Sequence, residues 1–307
     1  MTMTSTTRTH IQLLGIAAGA GAGTRGAETG PDSLRELGLV ARLEGGGRTV
    51  NDLGNVPGDQ TTDHAVGQGR SVHAFHNVLQ FNRHTHAAVL NSLRNSGGAF
   101  LLIVGGDHSL AIGTLGGLAD HAKRLGVLWI DAHADFNTPA TSPSGNIHGM
   151  SLATACGSGQ PDLKRIAARD PMIAEADVHL FGVRDVDPGE QRTLDQSDVH
   201  VLDAAQWRSA GMLESVCAAC DDLAARCDHI HLSFDIDVLD AKFVPGTGTR
   251  VADGITPAEA REVLSALGKR GVLSSAEFVE YNPTIDIEQR TGKLTVDLIE
   301  ALLKAPA

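Results

Sequence analysis

The chain has 307 residues, is 42% hydrophobic and carries a formal net charge of −12 at pH 7. That is enough apolar material for one large α/β domain or two smaller ones, and the acidic balance excludes a nonspecific grip on nucleic acid or on an anionic membrane surface. No apolar run approaches the ~18 residues of a membrane-spanning helix, and the N-terminal MTMTSTTRTH has no apolar signal core. We therefore expect a disordered lead over residues 1–9 and a cytoplasmic protein.

In chain order, apolar runs predict strands at 11–17, 49–52, 100–104, 127–130, 177–182, 199–202, 230–234 and 272–279. Helical periodicity predicts helices at 31–43, 85–95, 110–124, 162–168, 211–226, 257–269 and 291–304. Pro31 and Pro257 suit a first helical turn. Thr256 is a natural N-cap with Glu259 at the capping-box position. After the first strand, Gly21, Gly23 and Gly26 satisfy GxGxxG. A dinucleotide fingerprint opens directly into a helix, however, and none can start here before Gly30-Pro31. The segment reads instead as a flexible loop over the rim of a site. Residues 54–72, rich in Gly, Asp and Thr, are the longest predicted loop.

Cys217 and Cys220 form a CxxC, but Val216, Cys220 and Leu223 recur at core spacing. These cysteines read as small apolar core residues rather than a redox or zinc pair, and with Cys156 and Cys227 they imply no disulfide framework. Strands alternating with helices, without a linker, predict a single α/β domain over residues 10–307 with a parallel sheet covered on both faces.

Ligands of such sheets gather beyond the carboxyl ends of the strands. There the sequence places GGDHS after strand 100–104, DAHAD after 127–130, DIDVLD after 230–234 and Glu280 after 272–279. Asp131, His133 and Asp135 lie two apart and share one face in extended chain, as do Asp235 and Asp237. Buried unpaired, such charges would cost several kcal/mol or more. With His108 they make a set of two imidazoles and four carboxylates, which suits Mn²⁺ or a similar hard-to-borderline ion better than a structural zinc. Four carboxylates offset two divalent cations, so the charge count points to a pair.

GGDHSLAIGT, DAHADFNTPATSPSGNIHGMSLA, SFDIDVLDAKFVPGTGT and EFVEYNP together resemble the ureohydrolase superfamily of arginases, agmatinases and their relatives. The likeness extends to TRGAETGPDSLRELGL at the front and TGKLTVDLIEALL at the end, and so spans nearly the whole chain. It implies a three-layer α/β/α fold with an eight-stranded parallel sheet and two Mn²⁺ per subunit. Carried over by motif, His108 and Asp135 would serve one ion, His133 and Asp237 the other, and Asp131 and Asp235 would bridge. Asp107 and Asp240 would support the ligands. Trimers or hexamers are the implied assembly.

NTPATSPSGNIHG and RDVDPGE resemble the arginase forms of their loops. The resemblance implies that Asn137 and Ser144 hold an α-carboxylate, with Ser142 and Asn146 helping through water, and that Asp187 and Glu190 face an α-ammonium. Thr249 would sit at the guanidinium end. The expected reaction is hydrolysis of L-arginine to L-ornithine and urea by a metal-bridging hydroxide. Asp135 would orient that nucleophile, Glu280 would hold the guanidinium, and His148 would shuttle the proton to the leaving amine. The chain departs from arginases at Val238, where glycine is usual, and at Ala241, Ser151 and Arg250, where proline is usual. Bulkier residues at the Val238 position occur in agmatinase-like members. The alternatives are therefore an agmatinase, a guanidinobutyrase or a formimidoylglutamase, or a noncatalytic metal-binding relative.

Overall fold

The computed structural model describes residues 9–56 and 72–304. Residues 1–8 of the lead expected over 1–9, and most of the predicted 54–72 loop, lie outside the described residues. Eight strands are formed: β1 (His10–Ile16), β2 (Thr49–Val56), β3 (Phe100–Gly105), β4 (Leu125–Ile130), β5 (Val178–Phe181), β6 (His200–Leu202), β7 (His229–Asp235) and β8 (Ser275–Val279). They make one sheet in the order β2-β1-β3-β8-β7-β4-β5-β6, and every neighbouring pair is parallel. Every residue of β3, β4, β7 and β8 is buried. This is why β3 and β4 read as near-continuous apolar runs, whereas β7 and β8 alternate polar and apolar residues and bury both.

Helices cover both faces. On one lie α1 (Gly30–Glu36), α2 (Leu39–Gly45), α8 (Ala204–Ser209), α9 (Met212–Arg226), α10 (Pro257–Arg270) and α11 (Arg290–Leu303), whose Leu34, Leu43, Trp207, Leu223, Leu264 and Leu302 share one core. On the other lie α3 (Phe75–Asn95), α4 (Ala111–His121), α5 (Ser151–Ala155), α6 (Pro161–Lys164) and α7 (Pro188–Leu194), contributing among others Val89, Leu115, Leu152, Leu163 and Leu194. The architecture is the three-layer α/β/α arrangement expected. Among the described residues no helix is long and apolar enough to cross a membrane.

Local differences from the expected elements have local causes. The single helix expected at 31–43 is two, α1 and α2, because Gly38 takes φ 85 between them, a left-handed step that glycine makes freely. α3 begins ten residues before its expected start at 85. Its first turns mix His, Asn and Gln with the buried Val78, Leu79 and Phe81, which blurs the apolar stripe. β2 runs on to Val56 although Val56 is its one buried residue; an edge strand is held by backbone pairing with β1, which leaves no burial signature. The helix expected at 162–168 closes after Lys164, and the strand expected from 272 starts at Ser275. Cys220 packs in the core beside Val216 and Leu223, while Cys217 is half-buried.

The strands whose carboxyl ends carry the charged segments are β3, β8, β7 and β4, which are neighbours in the middle of the sheet. Segments far apart in sequence thus meet on one rim.

Candidate metal centre

β4 delivers Asp131. Two residues earlier on the same face, Trp129 donates from Nε1 to Asp131 Oδ2 at 3.0 Å, and its ring stacks on His108 at 4.2 Å between centroids. Asp131 Oδ1 accepts from the His133 backbone N at 2.7 Å. Asp135 holds φ 48, a conformation uncommon outside glycine and frequent at functional sites. The backbone on either side is pinned: Phe136 N donates to Glu190 and Ala153 N donates to the Asp135 carbonyl. β7 delivers Asp235, whose Oδ1 accepts from Asp237 N at 2.8 Å and so starts the single turn that aims Asp237 at the same rim. After β3, Asp107 caps the turn carrying His108 by accepting from Ser109 N at 2.9 Å.

These steps bring two groups of metal-type donors together, and among the described residues they share Asp131: His108, Asp131 and Asp235 in one, Asp131, His133 and Asp237 in the other. His108 Nδ1 lies 3.1 Å from Asp131 Oδ2, 3.1 Å from Asp135 Oδ2 and 3.2 Å from Asp235 Oδ2. Its Nε2 lies 2.8 Å from Ser233 Oγ, and that hydroxyl donates its one proton to Glu277 Oε1 at 2.8 Å. Nε2 therefore carries a ring proton whatever the charge of the ring, so Nδ1 is the nitrogen that faces the three carboxylate oxygens, as N–H without a metal and as the lone pair that would bind one. Nδ1 and Asp135 Oδ2 are both buried without a hydrogen-bond partner. On the other side His133 Nδ1 lies 3.1 Å from Asp237 Oδ2 and 3.5 Å from Asp131 Oδ1.

The pocket holds more negative charge than burial tolerates. Burial and the neighbouring Asp131 push Asp135 up to about 6. Burial, Asp237 and Asp131 hold Asp235 well above the carboxylate range. A buried imidazole nitrogen aimed into clustered carboxylates, with a carboxylate oxygen left without a hydrogen bond, is the environment a divalent cation neutralises, and the mix of oxygen and imidazole suits a hard-to-borderline ion. The residues present fit two such ions.

Glu280 ends β8 at φ 64. Its Oε1 accepts from His108 N at 2.8 Å and contacts His148 Nδ1 at 2.9 Å. Burial works against a charged His148, but Glu280 and then Asp135 outweigh it and raise the imidazole to about 9. The glycine segment forms part of this wall: His148 N donates to the Gly21 carbonyl at 3.2 Å, and Gly21 N donates to Asp107 Oδ2 at 2.9 Å. It sits on the rim, as expected.

The other expected residues take distinct places. Asn137 Nδ2 donates to Asp187 Oδ2 at 2.9 Å, and Thr141 Oγ1 donates to Asn137 Oδ1 at 2.9 Å. Glu190 was expected to face the substrate, yet its two oxygens accept from Phe136 N at 2.7 Å and Asp187 N at 3.2 Å. It is buried, raised by that burial to about 7, and locks the Asp187 turn to the DAHADF segment. Ser144 is exposed, 3.4 Å from Ser142 Oγ, and its own Oγ accepts from Asn146 N at 3.2 Å. Thr249 Oγ1 donates to Asp237 Oδ2 at 2.9 Å. Asp240 accepts from Lys242 N and Asp253 N, bracing the following loop rather than a ligand.

Val238 is fully buried in the core on the opposite face of the sheet, beside Trp207. A β-carbon added to Gly182, at φ +93, would meet Val238 Cγ2 at 2.7 Å. The departure from glycine at 238 is thus accommodated by the absence of a side chain at 182. Trp129, Ser233 and Glu277 were not singled out from sequence. The first two do carry a signal, each standing two residues before an aspartate on a strand. Glu277 carries none, because only the β7–β8 register sets it opposite Ser233.

The sequence profile of the arginase family matches residues 9–304. The chain belongs to the arginase family. It is 39% identical to the arginase of Bacillus subtilis (strain 168) over 293 residues, 95% of this chain and 97% of that one. Among solved structures, the arginase of Bacillus caldovelox superposes with a TM-score of 0.90 at 38% identity, covering 96% of this chain and 98% of that one. The arginase of Entamoeba histolytica in complex with L-ornithine gives 0.87 at 34%, covering 96% and 98%. The central four strands and their charged ends are thus an arginase-family centre.

Proposed function

We propose that the chain hydrolyses L-arginine to L-ornithine and urea at a centre of two Mn²⁺ ions, held by His108, Asp131, Asp135 and Asp235 on one side and Asp131, His133, Asp235 and Asp237 on the other. The observation that carries this reading is the buried Glu280 carboxylate, joined to His108 of the ligand cluster and to His148. Bound there, two divalent ions acidify water and supply a nucleophile at neutral pH.

The chain's own residues do the rest. Glu280 holds the guanidinium by charge-assisted hydrogen bonds and so sets its carbon over the ligand cluster. Asp135 accepts a hydrogen bond from the attacking water and orients it. Hydrolysis adds one water across the bond between the guanidinium carbon and the chain nitrogen, and the departing amine needs a proton. His148, kept protonated by Glu280, delivers it. Asn137 and Ser144, with Ser142 and Asn146, take the α-carboxylate, while Asp187 meets the α-ammonium with Glu190 fixing its turn. The working unit is one domain over residues 10–307, cytoplasmic, in a trimer or hexamer.

The test is urea release by the Mn²⁺-loaded protein from L-arginine and agmatine in parallel, with a metal-stripped control. Urea from arginine alone is expected. Urea mainly from agmatine keeps the centre and overturns the substrate; urea from neither overturns the reading. His148→Ala should retain two ions and lose about 10²–10⁴-fold in turnover; unchanged turnover removes His148 from the reaction.

A further inference from the structure

Below His108 the interior of the sheet turns polar. β7 presents His229, His231 and Ser233 on the face that also carries Asp235, and the register pairs His231 with Ser275 and Ser233 with Glu277 of β8. All six side chains are buried. Ser275 Oγ lies 2.8 Å from His229 Nε2 and 2.8 Å from His231 Nδ1. His231 Nε2 lies 3.6 Å from Glu277 Oε1, an ion-pair distance rather than a hydrogen bond. His231 Nε2 and Glu277 Oε2 have no hydrogen-bond partner.

Proton positions follow from charge. A bare lone pair on His231 Nε2 would face the Glu277 carboxylate, so Nε2 carries hydrogen whether the ring is neutral or cationic. From the other side His108 Nε2–H points to Ser233, and Ser233 donates to Glu277. Two strings of donors therefore converge on one buried carboxylate, and one string starts at a ring that offers its free nitrogen to the ligand cluster. Burial raises the Glu277 carboxyl, but the attraction of His231 and then of His108, with the hydrogen bond from Ser233, outweighs it and keeps it below its ordinary range.

We infer that Glu277 is the buried counter-charge of the His108 site: through Ser233 it makes the His108 imidazole a stronger donor to a divalent cation, and His231, Ser275 and His229 form a second arm that holds that carboxylate ionised. Glu277 is a positioning residue; it touches neither ion nor substrate. The inference rests on the metal-centre reading above. A partner on the far nitrogen of a ligating histidine is worth about 10–100-fold in metal affinity.

The test is Mn²⁺ titration of the metal-stripped full chain by calorimetry, together with thermal unfolding of the stripped and loaded forms. Glu277→Gln keeps the shape and an acceptor for Ser233 but removes the charge. One of the two equivalents should weaken by at least about tenfold, with a smaller loss for His231→Gln. Stripped Glu277→Gln should unfold earlier than stripped wild type, because His231 loses its buried counter-charge, and its gain on Mn²⁺ addition should shrink as well. A lower unfolding temperature of the stripped variant with an unchanged Mn²⁺ gain would show a merely structural role and overturn the inference. If Glu277→Gln does not fold, Ser233→Ala cuts the same link, and wild-type Mn²⁺ affinity in it overturns the inference equally. Stripped wild type that takes up no Mn²⁺ sinks the centre itself; two equivalents in wild type with equal affinity in Glu277→Gln sinks only this proposal.

Discussion

The His108 pocket and the His133 pocket share Asp131 and use the same residue types, yet their surroundings differ. The His108 side chain is 1% exposed, stacked on Trp129, and backed by Ser233 and Glu277 inside the sheet. The His133 side chain is 23% exposed, and its Nε2 faces the exposed Asp185 at 3.9 Å. One histidine is a fixed part of the core and the other looks outward to solvent. Equal ligand chemistry thus sits in unequal dielectric, and electrostatic support is worth more on the dry side.

The largest effect should come from the residue that joins the pockets. Asp131→Ala should empty both, with metal content near zero by atomic absorption and urea release down by more than about 100-fold, beyond the loss typical of an outer partner. Retention of two ions would sink the shared role of Asp131. Trp129→Phe keeps the stack on His108 but removes the donor to Asp131. A hydrogen bond to a charged group is worth about 1.5–3 kcal/mol, so Mn²⁺ affinity should fall at least about tenfold; an unchanged isotherm would mean that Asp131 needs no such support.

Acid sharpens the comparison from below. Burial, with His231 and His121 nearby and only Asp228 opposing them, lowers His229 to about 3. The unfolded chain binds a proton near pH 6.5 that the folded chain refuses until about pH 3. Stability is therefore lost as pH falls through that window, by up to about 1.4 kcal/mol per pH unit. Denaturant unfolding of the stripped protein at several pH values should show this slope, and His229→Gln should flatten it; parallel slopes would remove His229 as the cause. The smallest effect is expected on the wetter side, where Thr249→Val deletes the donor to Asp237. About 1 kcal/mol predicts a few-fold weaker second equivalent. A loss as large as that of Trp129→Phe would show that the pockets are not unequal after all.

Much of this was legible in the sequence because it is local. Apolar runs ending in DAHAD, DIDVLD and GGDHS announce buried strands with ligands at their tips, and two-residue spacing fixes which side chains share a face. Thr256, Pro257 and Glu259 announce a helix start, and the capping box is present in the structure. The edge strand β2 and the first half of α3 were less legible, since neither has an unbroken apolar signal.

What the sequence alone determined is the ligand inventory and the alternation that makes a parallel sheet. What only the tertiary structure decided is which groups face one another across strands. The register that sets Glu277 beside Ser233, the packing of Val238 on Gly182, and the use of Glu190 on backbone N–H groups all depend on neighbours far away in the chain. Periodicity states which way a side chain points; only the assembled sheet states what it meets there.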